Sequence, residues 1–111
     1  MAADLAALAV IWVLFAWLLS PAVAGPCRAG FVPRQSAPAD GICVLPASRD
    51  LVVAENSRAV VLWLSGAFGP KTCAQGYVWR EAFTGDLVCV TPDRRGAVAD
   101  ENQLDPSRRE P

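Results

Sequence analysis

Apolar positions fall into several distinct patterns along the chain. From Leu5 to Leu19 they are nearly continuous, and no charged residue interrupts them. Ser20-Pro21 ends the run, and Ala22-Val23-Ala24 supplies an A-x-A pattern suited to signal peptidase. An apolar region of about 15 residues matches a signal-peptide core and falls short of the ~20 needed to cross a bilayer. Residues 1–24 are therefore expected to be a signal peptide, cleaved after Ala24. The alternative is an uncleaved membrane anchor over residues 5–24. The first residues carry Asp4 and no Lys or Arg, so the usual positive start of a signal peptide is missing. Pro26 stands before Cys27 where a lipoprotein signal needs a small residue.

Beyond residue 24 the pattern changes. Tyr77-Val78-Trp79 and Leu87-Val88-Cys89-Val90 are β-branched and aromatic runs that favour strands. Thr84-Gly85-Asp86 between them is rich in turn formers. Thr91-Pro92-Asp93 then reads as a helix start, with Thr91 able to cap, Pro92 at the first helical position and Asp93 at the positive end. The predicted order is strand, strand and a helix over about 92–103, weakened at Gly96.

This unit occurs twice. Cys27, Cys43, Cys73 and Cys89 form two pairs, each 16 apart, offset by 46. Shifting the chain by that offset aligns Gly30/Gly76, Val32/Val78, Arg34/Arg80, Asp40/Asp86, Val44/Val90, Pro46/Pro92, Arg49/Arg95, Val52/Val98, Glu55/Glu101 and Asn56/Asn102 as well. Twelve of the 30 positions from 27 to 56 are identical without a gap, against about two by chance, so a tandem duplication is expected. The predicted fold is a small disulfide-stabilised α+β protein of two tandem ββα-like units. Its expected organisation is signal peptide 1–24, degenerate first unit 25–56, apolar linker 57–70, second unit 71–104 and a disordered tail 105–111.

An even cysteine count in a small exported chain reads as a disulfide framework. A duplicated unit should satisfy its own cysteines, which favours Cys27–Cys43 and Cys73–Cys89. Each such loop is worth roughly 3 kcal/mol, and units of about 40 residues seldom hold together without a staple. A zinc site on the four thiolates is the alternative, weakened by the lack of any C-x-x-C pair.

Composition adjusts this picture. Of 111 residues, 53% are hydrophobic, but residues 1–24 hold 21 of those 59, leaving an ordinary 38 of 87 in the remainder. A net charge of −1 gives no electrostatic reason to expect nucleic acid. The chain has no His, which removes its usual acid/base chemistry and metal ligation. No metal and no cofactor are expected.

Arg49, Val52 and Asn56 share one helical face, as do Arg95, Val98 and Asn102. The structural reading is that Arg and Asn bond the hairpin or cap the helix; a ligand contact is the alternative. Arg34 with Asp40 and Arg80 with Asp86 are candidate internal ion pairs. Tyr77, Trp79, Arg80 and Glu81 form the candidate binding surface, because an exposed Tyr/Trp pair beside Arg and Glu could stack on sugars or grip a peptide. The competing reading, which places these aromatics in a tiny core, is favoured for Trp79. Pro33 and Gln35 replace Trp79 and Glu81 in the first unit, which would lose most of such a surface. The linker run Ala59-Val60-Val61-Leu62-Trp63-Leu64 is too short to span a bilayer and is expected to be buried between the units.

Thr72-Cys73-Ala74-Gln75-Gly76-Tyr77-Val78-Trp79-Arg80-Glu81-Ala82, followed by Val88-Cys89-Val90-Thr91-Pro92, resembles a tandem repeat of an uncharacterised family of exported bacterial proteins. The resemblance covers about 35 residues, with a degenerate copy over another 30. It implies an exported repeat module and carries no activity or site.

The leading functional expectation is a small secreted, non-catalytic binding or structural module. Its partner is open, a cell-envelope component or another protein. A membrane-tethered protein with an uncleaved N-terminus is the second reading. A hydrolase using carboxylates such as Glu81 and Asp86 is the third, disfavoured because the usual nucleophile–base pairs are absent and a unit this small rarely offers a cleft.

Overall fold

The computed structural model describes residues 25–111; the expected signal peptide, or anchor, lies outside the described residues. The fold is a small α+β arrangement of short antiparallel sheets with two disulfides, Cys27–Cys43 and Cys73–Cys89. Their Cα atoms are 5.6 and 5.7 Å apart. No cysteine is free among the described residues, so the zinc alternative has no thiolates to use.

β1 (Val32–Pro33) pairs with β2 (Cys43–Val44), Val32 opposite Val44 and Pro33 opposite Cys43. Both strands of such a ribbon are edges, which is where Pro33 is tolerated. Helix α1 (Pro46–Ser57) follows directly, with Pro46 in its first turn and no side-chain cap from Leu45. A 3-10 turn (Ala59–Leu62) leads into β3 (Trp63–Gly66), which pairs with β4 (Gly69–Cys73). β5 (Val78–Trp79) then pairs with β6 (Cys89–Val90), Val78 opposite Val90 and Trp79 opposite Cys89. Helix α2 (Pro92–Leu104) begins at Thr91, whose hydroxyl accepts a hydrogen bond from the Arg94 amide. A second 3-10 turn spans Asp105–Arg108.

Contacts in the first half of the molecule recur at positions 46 residues later. Phe31 N–H donates to the Arg28 carbonyl, and Tyr77 N–H to that of Ala74. Both turns carry a glycine with positive φ, Gly30 at 91° and Gly76 at 88°, a conformation that a Cβ would strain. The Asn56 amide donates to the Ser36 carbonyl, as the Asn102 amide does to that of Ala82.

The same correspondence explains the C-terminus. Residues 105–111, expected to be disordered, are built into the structure. Cys27 pairs with Arg109 as Cys73 pairs with Trp63. Arg28 N–H donates to the Arg108 carbonyl, and Ala74 N–H to that of Leu62, both at 2.8 Å. Asp105 accepts the Cys43 N–H at 2.7 Å and is held by Arg109 at 2.9 Å. Backbone pairing orders this segment despite its polarity.

The linker departs from expectation in the opposite sense. Ala59 is buried and Trp63 half-buried, with its indole N–H on the Leu87 carbonyl. Val60 and Val61, however, are 74% and 75% exposed, and Leu64 is exposed too. The 3-10 turn and β3 are held through backbone N–H and C=O groups, which leaves the side chains of Val60, Val61 and Leu64 outside.

The apolar core consists of Cys43, Val44, Val52, Ala59, Ala82, Cys89, Val90 and Val98. Its largest buried side chains are two arginines, and each reaches across to the other half. Arg34 holds Asp40 of its own hairpin through Nε at 2.8 Å, then donates to Asn102 Oδ1 at 2.9 Å and Glu101 Oε1 at 3.4 Å on α2. Arg80 holds Asp86 through Nε at 2.8 Å and donates to Glu55 Oε1 on α1 at 3.2 Å. Glu55 is shared with Arg94 at 2.6 Å, and Glu101 accepts from the Ser48 hydroxyl. Among the described residues no buried side-chain N or O lacks a partner.

Removing Arg80 leaves the buried Asp86 without its cation and Glu55 with Arg94 alone. Arg80→Met should cost about 3–5 kcal/mol, read as a shift in the denaturant midpoint. Arg95→Met, which breaks only the exposed contact with Glu81, should cost under about 1 kcal/mol. Equal effects of the two substitutions would contradict the clasp.

Candidate functional site

Tyr77, Trp79, Arg80 and Glu81 alternate around β5, and their side chains diverge. Tyr77 and Glu81 are exposed, Trp79 is half-buried and Arg80 is buried. Arg80 is therefore removed from the expected surface: its guanidinium is committed to Asp86 and Glu55. Trp79, expected to fill the core, lies at its margin. Its indole N–H donates to the Lys71 carbonyl at 2.9 Å, and its ring meets Phe68 edge-to-face at 5.7 Å.

These residues border a shallow groove of about 240 Å³, lined by Phe68, Thr72, Tyr77, Val78, Trp79 and Arg95. Phe68 comes from the tip of the β3–β4 hairpin, Trp79 from β5 and Arg95 from α2, so the groove depends on the packing of three elements. The Thr72 hydroxyl accepts the Phe68 N–H at 3.0 Å and fixes the tip. Arg95 stands at the rim, 3.9 Å from Glu81. Phe68 and Arg95 lay outside the four-residue surface read from sequence. Arg95 was singled out as part of a helical face; Phe68 gave no signal beyond its place after the apolar run.

Glu81 itself occupies the left-handed region, φ 54°, and Gln35 does so at the corresponding position with φ 55°. Those two are the non-glycine residues with positive φ among the described residues. In each half the bend lets the carboxylate beneath it collect neighbours. Asp86 accepts the Ala82 and Val88 N–H groups, and Asp40 those of Ser36 and Ile42. Gln35 accepts from Arg49 at 2.7 Å, where Glu81 faces Arg95. Arg49 and Arg95 thus tie helix to hairpin, and Asn56 and Asn102 bond hairpin carbonyls, in line with the structural reading of that face.

A larger hollow of about 640 Å³ lies between Ala37–Ile42, Ala82, Phe83, Asn102 and Arg109. Its polar groups are already occupied: Asp40 by Arg34, Asn102 by Arg34 and Ala82, and Arg109 by Asp105 and the Gly41 carbonyl. The groove beside Trp79 keeps apolar ring surface and a rim cation accessible to a ligand, and is the better candidate.

Chemistry at either place is limited. No group of three or more His, Cys, Asp or Glu among the described residues could hold a metal ion. Asp86 and Glu55 sit in buried ion pairs with Arg80, and Glu81 is exposed at the rim. Nor is any described helix long and apolar enough to cross a membrane. The two disulfides suggest an extracellular or otherwise oxidising compartment. No family model matches the chain, and no curated protein and no solved structure matches it.

Asp40 and Asp105 contribute acid sensitivity. Burial opposes ionisation of Asp40, but hydrogen bonds from Arg34 and Ser36 and the Arg34 charge outweigh it, holding the carboxyl below its ordinary 3.8. Asp105 is likewise lowered: burial works against it, and Arg109, the Cys43 N–H and the Arg34 charge prevail. Both folded values lie below the unfolded one, so their stabilisation is fully present above about pH 4–5 and is lost as pH falls through the folded values. Thermal unfolding should show a plateau above about pH 5 and a fall below about pH 4. Asp105→Asn should lower the plateau and shrink the acid-induced drop; an unchanged drop would remove Asp105 from this role.

Proposed function

We propose that this is an exported, non-catalytic binding module, built from a duplicated ββα unit and acting at the cell envelope through the groove beside Trp79. The observation that carries the reading is the asymmetry of the two halves. The second half has Tyr77, Trp79 and Arg95 around a groove closed by Phe68; the corresponding positions of the first half hold Phe31, Pro33 and Arg49. Scaffold positions are retained in both halves, while the aromatic groove belongs to one. A flat indole face beside a guanidinium suits a polar ligand with an apolar face, such as a sugar ring or an extended peptide.

Export is supported by the apolar segment ending in Ala22-Val23-Ala24 and by cysteines consumed in disulfides. Duplication is supported by identities at an offset of 46 and by hairpin, turn and clasp contacts that recur at the same offset. A non-catalytic role is supported by the missing His and by the ion pairs that occupy the buried carboxylates.

Two measurements test this. Intact mass of the protein recovered from the medium should lack residues 1–24 and four hydrogens; a mass retaining Met1 would replace the secreted form with an anchored one. Purified cell wall should retain the oxidised protein, with Trp79→Ala lowering retention about tenfold, as for loss of a stacking anchor. Retention unaffected by that substitution would reject the groove.

A further inference from the structure

A second surface shares Phe68 with the groove and is otherwise distinct from it. Val60, Val61 and Phe68 are 74%, 75% and 74% exposed, and Leu64 is 54% exposed. All four belong to the 3-10 turn and β3–β4 hairpin that join the halves. Isolated exposed apolar residues need no explanation, but four within nine positions do.

The backbone arrangement does not require Val60, Val61 or Leu64. The segment 46 residues later makes the same backbone arrangement with Pro106, Ser107, Glu110 and no aliphatic side chain in the corresponding places. Its 3-10 turn, its bond from Arg28 N–H to the Arg108 carbonyl and its pairing with Cys27 match those of Ala59–Trp63. One half thus builds this strap from polar residues and the other from Val, Val and Leu.

Within the strap's own segment the charges have one sign. From Asn56 to Arg80 there is no Asp or Glu, while Arg58 and Lys71 are exposed. Lys71 lies 4.5 Å over the Trp63 ring, an arrangement that keeps its ammonium beside apolar surface. The next acid along the chain, Glu81, faces Arg95. A segment that exposes Val, Leu and Phe and carries two exposed cations and no acid of its own complements an anionic lipid surface. A two-fold contact between copies of this strap would instead set Arg58 and Lys71 against their own equivalents, with no carboxylate in the segment to meet them.

We propose that the strap Arg58–Lys71 is a lipid-docking surface, in which Val60, Val61, Leu64 and Phe68 enter the headgroup boundary of an anionic membrane and Arg58 and Lys71 contact its phosphates. This goes beyond the groove reading and does not depend on it.

The oxidised chain would be sedimented with vesicles of 7:3 phosphatidylcholine and phosphatidylglycerol, and with pure phosphatidylcholine. Binding to the mixed vesicles is expected, weakening with salt, at least about fivefold above binding to the neutral ones. V60S/V61S should lower it about tenfold, and R58Q/K71Q should remove the salt dependence. L51S/V53S alters residues of comparable exposure on α1 and should leave binding unchanged. Far-UV circular dichroism and thiol titration of each variant verify that it is folded and oxidised. Absence of vesicle binding by the parent chain would overturn the proposal, as would equal loss from L51S/V53S. A concentration-dependent doubling of mass that V60S/V61S abolishes, without vesicle binding, would also overturn it and assign the strap to a second copy.

Discussion

The exchange of Arg34 and Arg80 between the halves is the interaction on which the rest of this structure depends. Each guanidinium is held at its base by the aspartate of its own hairpin and extends to the helix of the other half. Neither hairpin–helix unit could leave its arginine buried alone, because the carboxylate that completes it lies elsewhere. A buried ion pair contributes little net stability compared with an apolar filling, but its geometry is demanding. Here it defines how two small units meet. The apolar core consists of four valines, two alanines and two half-cystines, a packing that many mutual orientations could satisfy. The clasp distinguishes one of them.

The disulfides and the clasp divide the work. One disulfide ties β2 to the segment preceding β1 and the other ties β6 to the end of β4, each limiting the unfolded freedom of a half too small to bury much surface. Nothing covalent joins the halves except the β3–β4 hairpin. Its counterpart, the pairing of residues 25–28 with 108–110, closes the other side. The molecule is therefore bounded by two strand pairings of the same kind, one within a continuous hairpin and the other between distant segments. Polar residues at 105–110 are ordered because antiparallel pairing satisfies backbone groups whatever the side chains.

Much of the fold was legible in the sequence where function rested on side-chain identity. Cysteines at a shared offset pointed to the observed pairing, and Thr91-Pro92 marked the start of α2 within a residue. Arg34/Asp40 and Arg80/Asp86 were recognisable as candidate pairs. The exchange across halves was not, because Glu55 and Glu101 match each other at the same offset as everything else. Self-similarity along one chain cannot tell a contact within a unit from its image in the next. The correspondence of 59–64 with 105–110 was invisible for a different reason: no residue is shared, and what is conserved between the segments is their hydrogen bonding. Arg80 was misplaced on the surface by the alternation of β5, which puts it on the face opposite Trp79.

That last error points to a physical asymmetry between scaffold and surface. The two arginines, the aspartates and glutamates that hold them, the glycines at 30 and 76 and the four cysteines are the same in both halves, each committed to a partner or backbone conformation with specific geometry, whereas Ser48 and Arg94, which complete the clasp, differ. Positions outside that network diverge: Trp79 against Pro33, Thr91 against Leu45, Val60 against Pro106. The network satisfies every buried polar side-chain atom described, so the surface is free to vary without cost to the fold. Divergence between the halves is consequently a record of what folding does not constrain. The aromatic groove and the apolar strap are both features of this kind, and both involve the β3–β4 hairpin. One continuous hairpin thus supplies a side of the groove through Phe68 and the exposed apolar edge through Val60, Val61 and Leu64, while the paired segment on the opposite side of the molecule remains polar.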